Sequence, residues 1–557
     1  MALRRTAFPI VAALALTAAC GGDDPVGPAG GLFSLGQSVN VESGRDVQLS
    51  PGATDGEFLA VAANLAPDST TSSGFTLRAS GNSAVSASQL PSLAATFALQ
   101  PEDASAMRPR RDIEFEDQLR ERSLAVLTPR MAAARAWHSA RIPAIPSTPS
   151  VGDLVTVNVN VREPCAQPDY HALRVVAIGT KALVLSDTLN PRVGGFTTAD
   201  YQRYAARFDT LVYPMDVAAF GEPTDIDRNG HIAIVFTRAV NELTPRNSFS
   251  YVGGLAFTRD LFPQVATSRA LACAASNEGE YFYLMTPDPS GTINGNRRTT
   301  GFVDSNTTAV IAHELQHLIN SSRKLYVNTA APRFEDKWLD EGLAHVAEEL
   351  LFYRESGLAP RSNLTYAGLV SNPRARAAYL TDMNGNATRY QDYLASTLKS
   401  SAYAAGDSLA TRGAAWSLLR YVADQSSSDG DIWSKLVNNT SVGLANLQSV
   451  LGRDVAPVVR DWMVSLALDD VAGAPASAQQ KSWNWRSIYG GAGGVAGLYP
   501  LSVTPMGNAT SYTGTVVAGG AAFYKLSVPA NGTATLSLGG PSGAATSNLQ
   551  LVIVRTK

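Results

Sequence analysis

The sequence predicts an α+β protein whose central region is strand-rich in its N-terminal half and helical in its C-terminal half, flanked by β-sandwich segments. Three observations carry this. Short runs alternating apolar and polar residues fill positions 31–105 and return over 499–557. Between them, strand-like and helix-like periods intermix up to about residue 300. From Thr307 to Asp469 the pattern turns mostly helical.

Taken in order, residues 1–19 read as a signal peptide. "MALRRTAFPIVAALALTAAC" opens with Arg4 and Arg5, runs through an apolar stretch from Ala7 to Leu16, and ends on small residues before Cys20. That stretch falls short of the roughly 20 residues a membrane span needs. "LTAAC" resembles the bacterial lipobox, which implies cleavage before Cys20 and acylation of its thiol; an ordinary signal peptide with an incidental cysteine is the alternative. Residues 20–30 form a flexible tether. Attachment by lipid alone is therefore expected, in the bacterial cell envelope, unless the chain is released.

In residues 31–105, "SVNVESG", "DVQLSPG", "EFLAVAANL" and "GFTLRAS" read as strands of a first sandwich. Residues 106–150 form a helical and proline-rich linker. Ile113, Phe115, Leu119 and Leu124 give a surface helix over 112–127, and Pro143, Pro146 and Pro149 stiffen the end of the linker. Basic Arg108–Arg111 is either solvated linker or a maturation site. Residues 151–490 form the central domain, with strands at "DLVTVNVNV", "HIAIVFT" and "EYFYLMTP", a hairpin at "LRVVAIGTKALVLSD" and a helix at "TTADYQRYAARFDTLVYPM". The strands of "GTVVAGG", "AFYKLSV", "TATLSL" and "LQLVIVR" make a second sandwich over 499–557.

Composition narrows the function. Across 557 residues the net charge is −3 and no long basic run occurs, which argues against a nucleic-acid partner. Only 17% of residues are charged, a mix suited to an exported protein, here expected as a monomer. With Cys20 lipidated, Cys165 and Cys273 remain as an even pair in an oxidising compartment, and a disulfide is expected. Two buried free thiols are the alternative.

The chemistry concentrates in "AVIAHELQHLINSS", Ala309–Ser322. Residues i and i+4 share a helix face, so His313 and His317 can present imidazole nitrogens to one cation. Glu314, one step round, can hold a water. Asp304, Ser305, Asn306 and Thr307 are N-cap candidates for this helix. A hydrolytic zinc site needs a third protein ligand. Asn320 and Arg323 stand where the metzincin pattern requires Gly and His. Downstream, "KWLDEGLAHVAEE" places Glu341, His345 and Glu348 at i, i+4 and i+7, a polar stripe on an otherwise apolar helix. Such a stripe is costly to bury unless a metal or hydrogen bonds satisfy it.

H-E-L-Q-H followed by W-L-D-E-G-L-A-x-x-x-E resembles the gluzincin clan of metallopeptidases, and within it the hyicolysin-type family of secreted neutral metallopeptidases. "FGEPTDIDRNGHIAIVFT", "NEGEYFYLMT", "RGAAWSLLRYVADQ" and "SWNWRSIY" share the likeness, over roughly residues 150–490. The resemblance implies a gluzincin-like core, His313, His317 and Glu341 as Zn2+ ligands, and Glu314 as general base. Glu348 matches the trailing glutamate and would orient a ligand histidine, or else face solvent. His345 points into the cleft or caps the site, with no zinc assigned to it. Two departures stand out. The exopeptidase motif that reads a free amino terminus is missing, with only Ser276–Glu280 in its place. Ala410 occupies the position of the usual oxyanion-binding tyrosine, leaving Tyr390, Tyr393 and Tyr403 as alternatives.

"DIDRNG" sets Asp225, Asp227 and Asn229 at alternate positions with Gly230 sixth, the opening half of a Ca2+ loop. Its twelfth position is Phe236, so an Asx-rich turn competes with calcium. The sequence thus predicts a lipid-anchored zinc endopeptidase acting on protein or peptide, its substrate lying along an edge strand such as "EYFYLMTP". The rival is a non-catalytic surface lipoprotein, an adhesin or scaffold, whose metal site is structural or vacant.

Overall fold

The structure, a computed structural model, describes residues 32–84, 111–140, 149–246, 248, 251–265, 273–491, 499–542 and 547–557. The signal segment, Cys20, the tether and linker residues 106–110 and 141–148 lie outside them. Among the described residues no helix is long and apolar enough to cross a membrane.

The terminal strands form where alternation places them, at Ser38–Glu42, Asp46–Leu49, Gly56–Asn64 and Ser72–Ser80, and at Thr510–Val517, Ala521–Val528, Ala534–Gly539 and Leu549–Arg555. They do not make two sandwiches. In one sheet Gly56–Asn64 lies between Leu549–Arg555 and Ala521–Val528; in the other, Ser72–Ser80 lies between Thr510–Val517 and Ala534–Gly539. The run Phe58–Ala63 explains this merger. Phe58, Ala60 and Ala62 face the sandwich interior, while Leu59, Val61 and Ala63 join the core of the helical region. A strand apolar on both faces is a central strand, and its hydrogen-bonding edges need partners on both sides, which here come from the C-terminal segment. Tyr403 Oη donates to Ala66 O at 3.1 Å, and Ala521 N to Thr397 O at 3.0 Å, tying sandwich to helices.

The central sheet runs in the order Gly254–Ala256, Tyr281–Leu284, Ile232–Phe236, Ala182–Asp187, Tyr170–Ile178, Leu154–Asn158. Tyr281–Leu284 is therefore not the edge strand expected from sequence. It pairs in parallel with Ile232–Phe236 and antiparallel with Gly254–Ala256, so both its edges are used. The edge is Gly254–Ala256. It lies close on the helix Thr300–Tyr326: a Cβ at Gly254 would meet Val310 Cγ1 at 2.7 Å and Leu284 Cδ2 at 2.8 Å, so only glycine permits the approach.

Helices follow from Thr300 onward. The first starts earlier than the Asp304–Thr307 cluster suggested, because the Thr299 hydroxyl accepts from Phe302 N at 3.2 Å and caps it. Asp304 instead accepts from Tyr204 Oη at 2.5 Å. The helix Lys337–Ser356 packs on it, and between the two lies the buried pair Lys324 Nζ–Glu335 Oε2, 3.1 Å apart. One turn beyond His345, Glu349 accepts from Trp483 Nε1 at 2.7 Å, with Trp483 and Trp485 stacked at 5.3 Å. Glu341 and Glu349 both meet arginines of the helix Leu409–Asp424, Arg412 and Arg420, and these contacts fix the rotation of the helix and so the aim of its polar stripe. The helix Arg111–Leu127 forms over the expected range, with Leu119 and Leu127 buried and Glu121 and Arg122 exposed.

Cys165 and Cys273 form the expected disulfide, closing a separation of 108 residues beside the sheet. Crosslinking so long a loop restricts the unfolded chain. Replacing both cysteines by serine is expected to cost roughly 4 kcal/mol. Denaturant unfolding under oxidising conditions checks this, and coincident midpoints for the two proteins would contradict it.

Candidate metal centre

Two helices build the centre. Thr300–Tyr326 carries His313, Glu314 and His317; Lys337–Ser356 carries Asp340, Glu341, His345 and Glu348, and all seven side chains are buried. The i, i+4 spacing turns the two ring Nε2 atoms toward each other, 3.1 Å apart. Glu341 arrives from the second helix with Oε2 at 3.6 Å from His313 Nε2 and Oε1 at 3.7 Å from His317 Nε2. One ligand atom from each of His313, His317 and Glu341 lies within 4.8 Å of the others, so these residues can hold a metal ion. The fit is also chemical. Two imidazoles and a carboxylate suit a borderline divalent metal, and all three side chains are buried.

Each histidine has a carboxylate at its other nitrogen. His313 Nδ1 lies 2.9 Å from Glu348 Oε1, and His317 Nδ1 lies 2.9 Å from Asp340 Oδ2. Asp340 is itself held by Asn320 Nδ2, which donates to Oδ1 at 2.5 Å. His345 Nδ1 lies 3.2 Å from Glu348 Oε2, so His313, His345 and Glu348 make a second cluster that shares His313. Glu314 turns to the sheet, where its Oε2 accepts the Ala256 N–H of the edge strand at 2.7 Å.

Electrostatics separate the rings. Burial disfavours charge on His313, but hydrogen bonding to Glu341 and Glu348 outweighs it and raises its pKa to about 10. A bound cation would take that proton's place. Burial dominates at His345 and lowers its pKa to about 3, which leaves the ring neutral. Burial pushes the Glu341 carboxyl upward, but Arg412, Arg120 and His317 together draw it well below the usual carboxylate range.

Arg120 had no signal in the sequence. It projects from Arg111–Leu127 into the cluster, pairs with Glu341, lies 2.5 Å from Asp340 Oδ2, and sets Nη2 3.2 Å from His317 Nδ1. Arg412 Nη1 approaches Glu341 Oε2 at 3.3 Å, its Nε held by Asp407 at 2.9 Å. Asp340 is a further residue that sequence reasoning missed, although it directly precedes Glu341 in the motif. The three tyrosines considered for an oxyanion site serve elsewhere or stay buried. Tyr390 Oη lies 3.2 Å from Gln480 Nε2, Tyr403 binds Ala66 O, and Tyr393 Oη is buried with no hydrogen-bond partner. The structure brings Asp225 and Asp227 together with Glu280, and Asn229 Nδ2 donates to Asp227 Oδ2 at 2.6 Å.

Comparison with known proteins places a similarity on part of this chain. A stretch of 143 residues is 29% identical to the neutral metalloprotease ShpI of Staphylococcus hyicus. It covers 26% of this chain and spans 29% of that protein's length. No family model matches the chain.

A guanidinium and a metal ion compete for the same Glu341 carboxylate. Charge-assisted hydrogen bonds of this kind contribute about 1.5–3 kcal/mol, so Arg120→Ala is expected to raise zinc affinity by about tenfold or more. Competition against a chromophoric chelator reads this directly. Unchanged or weaker binding would show that Arg120 does not oppose the metal.

Proposed function

We propose that the chain is a zinc endopeptidase, with His313, His317 and Glu341 as the metal ligands and Glu314 as the general base. The observation that carries this reading is the convergence of two facing imidazole nitrogens and a carboxylate from a second helix, with a further glutamate beside an edge strand. When bound, zinc would lower the pKa of water and polarise a carbonyl. The protein's own groups supply the rest. Glu314 takes a proton from the attacking water and delivers it to the leaving amine. Glu348 and Asp340 orient His313 and His317 through their Nδ1 atoms. Arg412 keeps Glu341 ionised.

The edge strand Gly254–Ala256 offers a template for an extended peptide, which favours cleavage within chains. Its Ala256 N–H is shared with Glu314, so the base and the peptide-aligning strand stand in fixed register. Export and lipid attachment through Cys20 belong to the same proposal and rest on the N-terminal sequence.

A non-catalytic adhesin or scaffold with a structural metal is the competing reading. Glu314 speaks against it: a structural site closes its fourth position and has no use for a buried acid next to its histidines. Zinc-loaded protein is expected to digest casein, to stop when a chelator is added, and to lose about a thousandfold in kcat on Glu314→Gln with zinc retained. Equal digestion by that variant, or none by the zinc-loaded protein, would reject the peptidase.

A further inference from the structure

Away from this centre, the loop "DIDRNG" and a glutamate distant in sequence build a separate cluster. Glu280 directly precedes the strand Tyr281–Leu284, and its side chain reaches back to the loop that enters Ile232–Phe236. It is only 2% exposed. Its Oε1 accepts the Ile226 N–H at 2.9 Å, while Oε2 is buried with no hydrogen-bond partner. One carboxylate oxygen from each of Asp225, Asp227 and Glu280 lies within 4.8 Å of the others. Gly279 allows this approach, since a Cβ there would come within 2.9 Å of Asp227 Oδ2.

Three carboxylates so placed repel one another. Burial, and then the charges of Asp227 and Asp225, raise the Glu280 pKa well above the ordinary carboxylate value. A buried carboxylate oxygen without a partner calls for an explanation, and an ion supplies one. The donor set is all oxygen, which suits a hard cation and not zinc. Asn229 braces the cluster rather than adding an oxygen to it: its Oδ1 accepts from His231 N, and its Nδ2 donates to Asp227 Oδ2, both at 2.6 Å. Asp225 is exposed, so the cluster opens to solvent on one side.

We propose that Asp225, Asp227 and Glu280 form a calcium site that ties the loop before Ile232–Phe236 to the start of Tyr281–Leu284. Glu280 takes the part that a calcium loop normally gives to its own last residue, here Phe236, whose side chain is buried in the core. The two strands so joined are parallel neighbours, with Ala233 N donating to Glu280 O at 2.8 Å. Tyr281–Leu284 in turn pairs with the edge strand that contacts Glu314. The cation thus stabilises the sheet under the metal centre without touching that centre.

The test is thermal unfolding of the full-length, zinc-loaded protein against CaCl2, with NaCl matched for ionic strength. The wild type is expected to gain Tm saturably by about 10 mM CaCl2. Asp225→Asn, an exposed and fold-neutral change, should need at least about ten times more calcium for the same gain. Glu280→Gln should raise the calcium-free Tm by relieving the buried charge, and abolish the calcium-dependent gain. No calcium-specific gain in the wild type, or an equal gain in Asp225→Asn, would overturn the site. Because the readout is unfolding temperature, the result is independent of whether the protein cleaves peptides.

Discussion

The structure depends on one constraint: acids, bases and imidazoles buried between two packed helices must satisfy one another. Thr300–Tyr326 and Lys337–Ser356 place four carboxylates and three histidines at their contact. Apolar side chains there would be simpler to bury. The polar set persists because most of its members have a defined counterpart, His313 with Glu348, His317 with Asp340, Glu341 with the arginines. Rotation of either helix by one residue would strand several charges at once. The Glu349–Trp483 hydrogen bond, one turn beyond His345, resists that rotation. Aromatic packing one turn beyond the cluster therefore helps hold its geometry.

Arg120 enters from a part of the chain that precedes the central sheet. Its helix is anchored by Leu119 and Leu127, and Arg135 extends the attachment by donating to Leu325 O at 2.8 Å and Lys324 O at 3.0 Å. The guanidinium neutralises a cluster otherwise rich in acid. Its position makes residues before 150 part of the centre and not a passive spacer.

Much of this was legible in the sequence where a short period encoded it. The histidine pair and the Glu341–Glu348 stripe follow from helical spacing alone, and the strands at both ends follow from alternation. Legibility failed where the decisive contact was long-range. Arg120 looks like any surface arginine, and Glu280 like the polar start of a strand. Tyr281–Leu284 reads as a plausible edge because its partner, Gly254–Ala256, is only three residues long and contains a glycine. The single sandwich was hidden for the same reason: alternation reports that a segment is a strand, and nothing about which strand lies beside it.

That shared sandwich constrains how the molecule is made. Ser38–Glu42 pairs with Leu549–Arg555, Ser38 opposite Val554, so the earliest strand waits for nearly the last. A ribosome emits the chain in order, and the first sheet edges stay open throughout that interval. Leu59, Val61 and Ala63 of one such strand belong to the core of the helical region, so that core is complete only once the C-terminal strands have closed the sheet on either side of them.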